Sequence, residues 1–153
     1  MSDLLQILMG TLGSFGFSVL FNIRKWKLLL AALGGGLSWA LYIILERIVP
    51  GEFTRYFICA FFVAVYAEFF ARKLKTPATT FLIPSIIPHI PGGALYHTMR
   101  YALLKQWNAC FHQAFYTIML ALGLALGIVA VLSLLSVTEA ARRSIDRKKE
   151  NCS

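Results

Sequence analysis

The sequence contains little charge for its length. Asp, Glu, Lys and Arg make up 14% of the 153 residues, whereas hydrophobic residues make up 58%. The mean hydropathy is +0.68, and no hydrophilic domain, long linker or low-complexity stretch interrupts the chain. This excludes an ordinary soluble domain, in which about a quarter of the residues are charged. The sequence therefore predicts a single integral membrane domain over residues 1–153, with a basic tail at residues 139–153.

Enzyme and metal-site signatures are also missing. The sequence has no Gly-x-Ser-x-Gly elbow, no phosphate-binding glycine loop before a lysine and no His-Glu-x-x-His helix. Cys59, Cys110 and Cys152 lie far apart without a Cys-x-x-Cys pair, which indicates neither a zinc site nor a disulfide framework. A lipid-modifying enzyme would need paired acids or histidines at one depth, whereas Glu68 and His97 are expected on opposite sides. We therefore expect no enzymatic activity, no cofactor and no metal.

Long runs without Asp, Glu, Lys or Arg predict membrane-spanning helices. A helix of about 20 such residues crosses about 30 Å of hydrocarbon. Four runs are long enough, and a fifth contains Glu68 and depends on its terminal arginines reaching the interface. The five segments are Leu4 to Phe21, Leu28 to Leu45, Tyr56 to Ala71, Thr76 to Met99 and Gln106 to Thr138. The predicted fold class is all-α, a polytopic membrane bundle of about five spans.

The basic residues predict the orientation of these spans. Only Arg47, Arg55, Arg100 and Lys105 would lie on one side of the membrane. The other eleven follow the first, third and fifth spans: Arg24, Lys25, Lys27, Arg72, Lys73, Lys75, Arg142, Arg143, Arg147, Lys148 and Lys149. The positive-inside rule then places the N-terminus outside and the C-terminus in the cytoplasm. The basic tail is also compatible with a lipid-headgroup or nucleic-acid patch, but we interpret it as a topology signal.

The stretch from Ile83 to Tyr96 is unusually rich in proline and glycine for an apolar segment. Each proline withholds a backbone donor, so the carbonyls of Thr80, Pro84 and Ile87 would lose their helical partners. Lipid offers no water to replace them, and such backbone is tolerated only when it is buried in protein or lines a wet cavity. The fourth span should therefore be broken, as in transporters that bind substrates and coupling ions at discontinuous helices.

The candidate substrate pathway follows this break. It comprises Pro84, Pro88, His89, Pro91, Gly92, Gly93, Tyr96, His97 and Arg100. His97 and Arg100 lie on one helical face suited to a carboxylate, although interfacial anchoring beside Tyr96 explains them equally well.

Two ionisable residues are candidates for coupling. His89 lies between two prolines, where it would either serve substrate or protons or cap a freed carbonyl. Glu68 is the second candidate, although an ion pair with Arg72 four residues later is the simpler interpretation.

Glycines within the spans indicate where helices pack closely. Gly10, Gly13 and Gly16 recur every three residues, and Gly123 and Gly127 form a GxxxG pattern. The consecutive glycines at positions 34–36 predict helix packing, with local unwinding of the second span as the alternative.

The order of these features resembles the small subunit of the threonine/serine exporter family. The resemblance rests on Phe17 to Asn22 (FSVLFN), the basic turn after it, a glycine-containing second span and the Pro-x-x-x-Pro-x-x-Pro-Gly run leading to Tyr96. His89-Ile90 departs from the mostly apolar residues that the family has between the last two prolines. The resemblance implies a chain like the C-terminal half of one-chain exporters, working with a larger membrane subunit. Related two-component members are associated with dicarboxylates such as succinate.

The residues and the resemblance together predict one half of a secondary exporter in the cytoplasmic membrane. An odd number of spans would invert a second five-span unit, as in transporters built from inverted repeats. The substrate would be threonine or serine, or a succinate-like dicarboxylate, and export would be ion-coupled because no nucleotide-binding motif is present. Expected partners are the larger subunit, a second copy of the chain and the lipid bilayer, but not nucleic acid. An assembly subunit and a channel component are the alternatives.

Overall fold

The computed structural model describes residues 3–23 and 26–150, with side chains up to residue 138. Within these residues the chain is helical and contains no strand. The helices are α1 (Asp3–Leu20), α2 (Trp26–Ile48), α3 (Glu52–Leu74), α4 (Thr79–Ile86), α5 (Gly92–Leu103) and α6 (Trp107–Glu150), with a 3₁₀ turn at Ile87–His89. The all-α prediction is confirmed, while the predicted tail at residues 139–153 falls outside the described side chains.

Three of the described helical segments are long and apolar enough to cross a membrane: Asp3–Leu20, Trp26–Ile48 and Trp107–Thr138. They match the first, second and fifth predicted spans. Helix α3 is 23 residues long but carries five charged residues, and α4 and α5 have only 8 and 12 residues. The third and the proline-broken fourth crossing therefore stay predictions.

Helices α1 and α2 pack closely because hydroxyl side chains fit against the glycines of α2. The Cβ position of Gly35 would contact Ser14, that of Gly36 would contact Thr11, and that of Gly34 would contact Ser85 of α4. Helix α2 stays continuous through this run, so the packing interpretation is confirmed and the unwinding alternative is wrong. On α1, Gly10 lies near Trp39, but nothing lies within 4 Å of the Cβ positions of Gly13 and Gly16. The buried face of α1 is instead marked by Ser14 and Ser18.

Helix α6 packs against α3 and α5. Gly123 lies against Phe53, and Gly127 lies against the backbone of Phe57 and the Ala60 side chain, so the predicted GxxxG contact is confirmed. Because both residue numbers rise along this contact, α3 and α6 run in parallel. Helix α5 has no buried residue, and its Thr98 hydroxyl lies 3.3 Å from that of Thr117 in α6.

The proline-rich stretch from Ile83 to Tyr96 is termed the proline segment. Its helical backbone is interrupted between α4 and α5. Pro84 lies within α4, Pro88 is the second residue of the 3₁₀ turn, and Ile90 is extended with φ −63° and ψ 123°. The Ile90 amide donates to the Ile87 carbonyl at 3.1 Å, and the Gly92 amide donates to Ile90 at 2.7 Å. The Ile87 carbonyl thus loses its α-helical partner, as expected, but the tighter 3₁₀ turn supplies a replacement donor from three residues later.

The two ends of the α1–α4 bundle carry different charges. At one end, Asp3 pairs with Arg47, and Arg55 lies 3.5 Å from Glu52 and 3.9 Å from Glu46; this is termed the paired end. The other end contains the α1–α2 and α3–α4 connections and is termed the basic end. It carries Lys27, Lys73 and Lys75, together with the Glu68–Arg72 pair at 3.4 Å.

Candidate functional site

His89 occupies the most enclosed polar position at the interruption between α4 and α5. Its side chain is 1% exposed. Three aromatic rings surround the imidazole edge-on, with centroid distances of 5.5 Å to Trp39, 6.0 Å to Tyr42 and 6.3 Å to Tyr56. The 3₁₀ turn thus places the histidine among these three rings of α2 and α3, which together are termed the aromatic box.

The hydrogen-bonding groups of the His89 imidazole are poorly satisfied inside the aromatic box. The Ser38 backbone interacts with it, but neither ring nitrogen makes a hydrogen bond of good geometry within the described residues. No hydrogen bond joins the ring to a carbonyl of the proline segment, so the structure does not support the interpretation of His89 as a carbonyl cap. A buried polar group without a good partner costs on the order of 1–3 kcal/mol, and such groups recur where water, an ion or a ligand binds.

Other polar groups line the same region. The Ser38 hydroxyl donates to the Gly35 carbonyl at 2.9 Å and reaches the Ser85 carbonyl at 3.3 Å. The Ser85 hydroxyl donates to Ala31 at 3.1 Å. The buried Ser14 hydroxyl and Trp39 Nε1 have no partner among the described residues. Hydroxyl, indole and imidazole groups therefore gather in an otherwise apolar bundle.

Arg55 forms the outer boundary of the aromatic box. Its side chain is only 8% exposed, and its guanidinium lies 5.6 Å from the centre of the Tyr42 ring. Tyr42 in turn stacks on Trp39 with a centroid distance of 5.3 Å. Glu46 and Glu52 balance the charge of Arg55 from the water side, with 60% and 38% of their side chains exposed. The layer closes the paired end above His89.

Sequence reasoning missed this layer because it treated Arg55 only as a topology signal. A usable signal was present: Trp39 and Tyr42 are three residues apart and therefore share a helical face. In addition, Glu46 and Glu52 lie on either side of the short α2–α3 connection, and Arg55 follows Glu52 by three residues.

The structure separates the predicted pathway residues into two groups. Pro84 is buried and Pro88 and Pro91 are half-buried beside His89, whereas five residues on α5 are exposed. Those five are Gly92, Gly93, Tyr96, His97 and Arg100. The Tyr96 and His97 rings contact each other at 5.5 Å, but α5 does not bring them to His89. In this chain, only the first part of the predicted pathway forms an enclosed site.

Glu68 forms the ion pair that its spacing predicts, with Arg72 Nε 3.4 Å from Glu68 Oε2. It lies toward the basic end of α3 and is 21% exposed. His112 is exposed near the start of α6. The two candidate coupling residues, His89 and Glu68, are therefore in different parts of the bundle.

The comparison with protein families decides the membership of the chain. The family model described as Threonine/Serine exporter, ThrE, matches residues 6–134. The chain belongs to the threonine/serine exporter family. No curated protein and no solved structure matches it. Membership confirms the resemblance at the level of the family and supports a transporter-type role rather than an enzymatic one. Together with the three long apolar helices, it indicates a membrane protein.

Proposed function

We propose that this exporter-family chain is one half of a secondary exporter, with its part of the translocation site at His89. The observation that carries the proposal is a fully buried imidazole without a good hydrogen-bond partner beside a helix interruption. Transporters bind substrates and ions at discontinuous helices because freed backbone groups and helix ends point at the ligand. An intramembrane ionisable residue is by default a candidate for such a role.

The other half would be a larger membrane subunit of the same family. In the proposed topology, α3 and the α4–α5 segment also cross the membrane, which gives five spans with a broken fourth. The charge of the basic end supports an N-terminus outside and a C-terminus in the cytoplasm. A partner with five further spans would be inserted upside down, and the substrate would pass at the interface between the two halves.

The substrate would be threonine or serine, or a dicarboxylate such as succinate, and proton antiport would drive export. His89 is the stronger candidate for the proton because its nitrogens lack good partners. Glu68 is the weaker one because it is already paired with Arg72.

Transport in proteoliposomes tests the proposal. The chain is reconstituted with and without the membrane subunit that co-purifies with it, and labelled threonine, serine and succinate are offered under an imposed pH gradient. Transport that requires both chains supports a half-transporter. A chain that transports alone and recovers no membrane partner in mild detergent would refute the two-subunit proposal.

Two histidine variants test the assignment to His89. His89→Gln should abolish gradient-driven transport, whereas His97→Gln on exposed α5 should retain it. Equal loss in both variants would contradict the proposed position of the site. Unchanged pH dependence in a His89→Gln, Glu68→Gln double variant would eliminate both residues as proton carriers. A stable complex with no transport of any substrate would favour the assembly-subunit alternative.

A further inference from the structure

Apart from the His89 region, the chain contains a cavity at the basic end. Its volume is about 670 Å³, and it lies between the α1–α2 and α3–α4 connections. Its polar lining comprises Asn22, Lys27, Thr76, Thr79 and Thr80. The rest of the wall is mainly apolar, and the wall includes Pro84, the first proline of the helix interruption.

Backbone geometry fixes the rim of this cavity on both sides. Asn22 and Lys75 have left-handed conformations, with φ of 55° and 48°. The Asn22 amide donates to Val19, and the Thr76 amide donates to Ala71 at 3.0 Å. Because these bonds end α1 and α3 sharply, they fix the backbone at Asn22 and Thr76 in the cavity wall.

The electrostatics of the cavity favour an anion. The acids with described side chains are Asp3, Glu46, Glu52 and Glu68, and each pairs with an arginine elsewhere. No described carboxylate therefore neutralises Lys27 in the cavity wall. The Thr76 hydroxyl oxygen is buried and has no partner among the described residues. A lysine, an amide and three hydroxyls supply donors for a carboxylate and partners for a hydroxyl or ammonium group.

The cavity also lies on the route toward His89. Pro84 forms part of its wall, and the next residue, Ser85, is fully buried against Gly34 of α2. Beyond it, Ser14 and Pro88 close against Gly35. The cavity is thus open at the basic end and closed by the glycine contacts before the aromatic box.

We propose that this cavity is the vestibule from which a small carboxylate-bearing substrate enters, with Lys27 binding the carboxylate. The proposal rests on the proposed export function, whose topology places the basic end in the cytoplasm. Ligand sites typically occupy about 300–1,000 Å³, so the cavity accommodates one small amino acid or dicarboxylate together with water. Threonine, serine and succinate share the carboxylate that Lys27 recognises.

Protection of an introduced cysteine tests the site without requiring transport. Thr79→Cys is placed in a background with Cys110→Ser and Cys152→Ser, in which buried Cys59 remains. Maleimide labelling of the purified chain, with any co-purifying subunit, is followed in the presence of threonine, serine, succinate or ethanolamine, which lacks a carboxylate. The carboxylates should slow labelling of Thr79→Cys but not of Lys73→Cys, an exposed position outside the cavity wall.

Charge variants then assign the protection to Lys27. Lys27→Gln should raise the ligand concentration needed for half-maximal protection about tenfold, as expected for the loss of one charge-assisted hydrogen bond. Lys27→Arg should preserve it, and Lys73→Gln should have no effect. A loss shared by Lys27→Gln and Lys73→Gln would indicate general surface charge and contradict the assignment.

Three further outcomes separate this inference from the export function. Transport without carboxylate protection at Thr79→Cys would overturn the vestibule while leaving the exporter intact. Carboxylate protection without transport would keep the binding site and contradict export. Protection by phosphatidylglycerol vesicles, but not by carboxylates or phosphatidylcholine vesicles, would overturn the inference in favour of a lipid-headgroup site.

Discussion

The two ends of the α1–α4 bundle differ in how their charges are satisfied. At the paired end, Arg47 and the nearly buried Arg55 both have acidic partners. At the basic end, Arg72 is the only described basic residue that has one, and the structure opens into a cavity beside Lys27. A buried guanidinium needs its partners because removing charge from water is costly, whereas lysines at an aqueous end do not. The bundle is therefore closed at the paired end above His89, and it is open at the basic end only as far as the glycine contacts of α2.

Adding a methyl group at Gly35 should have the largest effect on stability, because Gly35 lies at the close contact between α1 and α2. Its Cβ would lie 2.6 Å from Ser14 Cβ, so rotation of the serine hydroxyl cannot relieve the overlap. We expect Gly35→Ala to lower the free energy of unfolding by about 2 kcal/mol. Unfolding by SDS titration in mixed micelles measures the change.

Gly13→Ala is the matched control on the neighbouring helix. Nothing lies within 4 Å of its Cβ position, so the substitution should be neutral or stabilise the protein by up to about 1 kcal/mol through helix propensity. Equal stability of the two alanine variants would contradict the close α1–α2 contact.

Arg55→Met tests the layer that closes the paired end. The variant keeps the apolar stem but leaves Glu46 and Glu52 without their cation. Because both carboxylates reach water, we expect a loss of about 1–2 kcal/mol rather than the larger loss of a fully buried pair. His89 should also become more reactive toward diethylpyrocarbonate, as measured by mass spectrometry against exposed His97. Unchanged His89 reactivity would show that Arg55 does not cover the site.

The sequence predicted those features that depend on neighbours within a few residues. The helical class, the Glu68–Arg72 pair and the close approach at Gly123 and Gly127 all follow from helical spacing and side-chain size. They require no knowledge of how α1, α2 and α4 are arranged.

The environment of His89 could not be predicted in this way. Its neighbours Trp39 and Tyr56 lie 50 and 33 positions earlier in the chain. Local periodicity predicts that Trp39 and Tyr56 each lie on a helix, but it does not show which helix faces meet. The same limit explains why Gly92 and Gly93 were expected at an enclosed site. In the structure, nothing lies within 4 Å of their Cβ positions, and the glycines of α2 make the close contacts instead.

Asp3→Asn tests the exposed pair that joins α1 to α2 at the paired end. Arg47 and Asp3 are 71% and 49% exposed, so water and salt screen their attraction. We expect a loss of less than about 1 kcal/mol, which should shrink as NaCl is raised. A salt-independent loss as large as that of Arg55→Met would indicate that burial does not distinguish the two ion pairs. Unfolding midpoints at low and high salt provide the measurement.

Ile83→Trp should have the smallest effect on stability and is the counterpart of Gly35→Ala at the basic end. Ile83 lines the cavity and is 41% exposed, so an indole can occupy empty space without displacing a packed neighbour. We expect the free energy of unfolding to change by less than about 0.5 kcal/mol. The indole should nevertheless slow maleimide labelling at Thr79→Cys by filling the cavity. A large loss of stability would mean that the basic end is packed as tightly as the glycine contacts, and the contrast between the two ends would no longer hold.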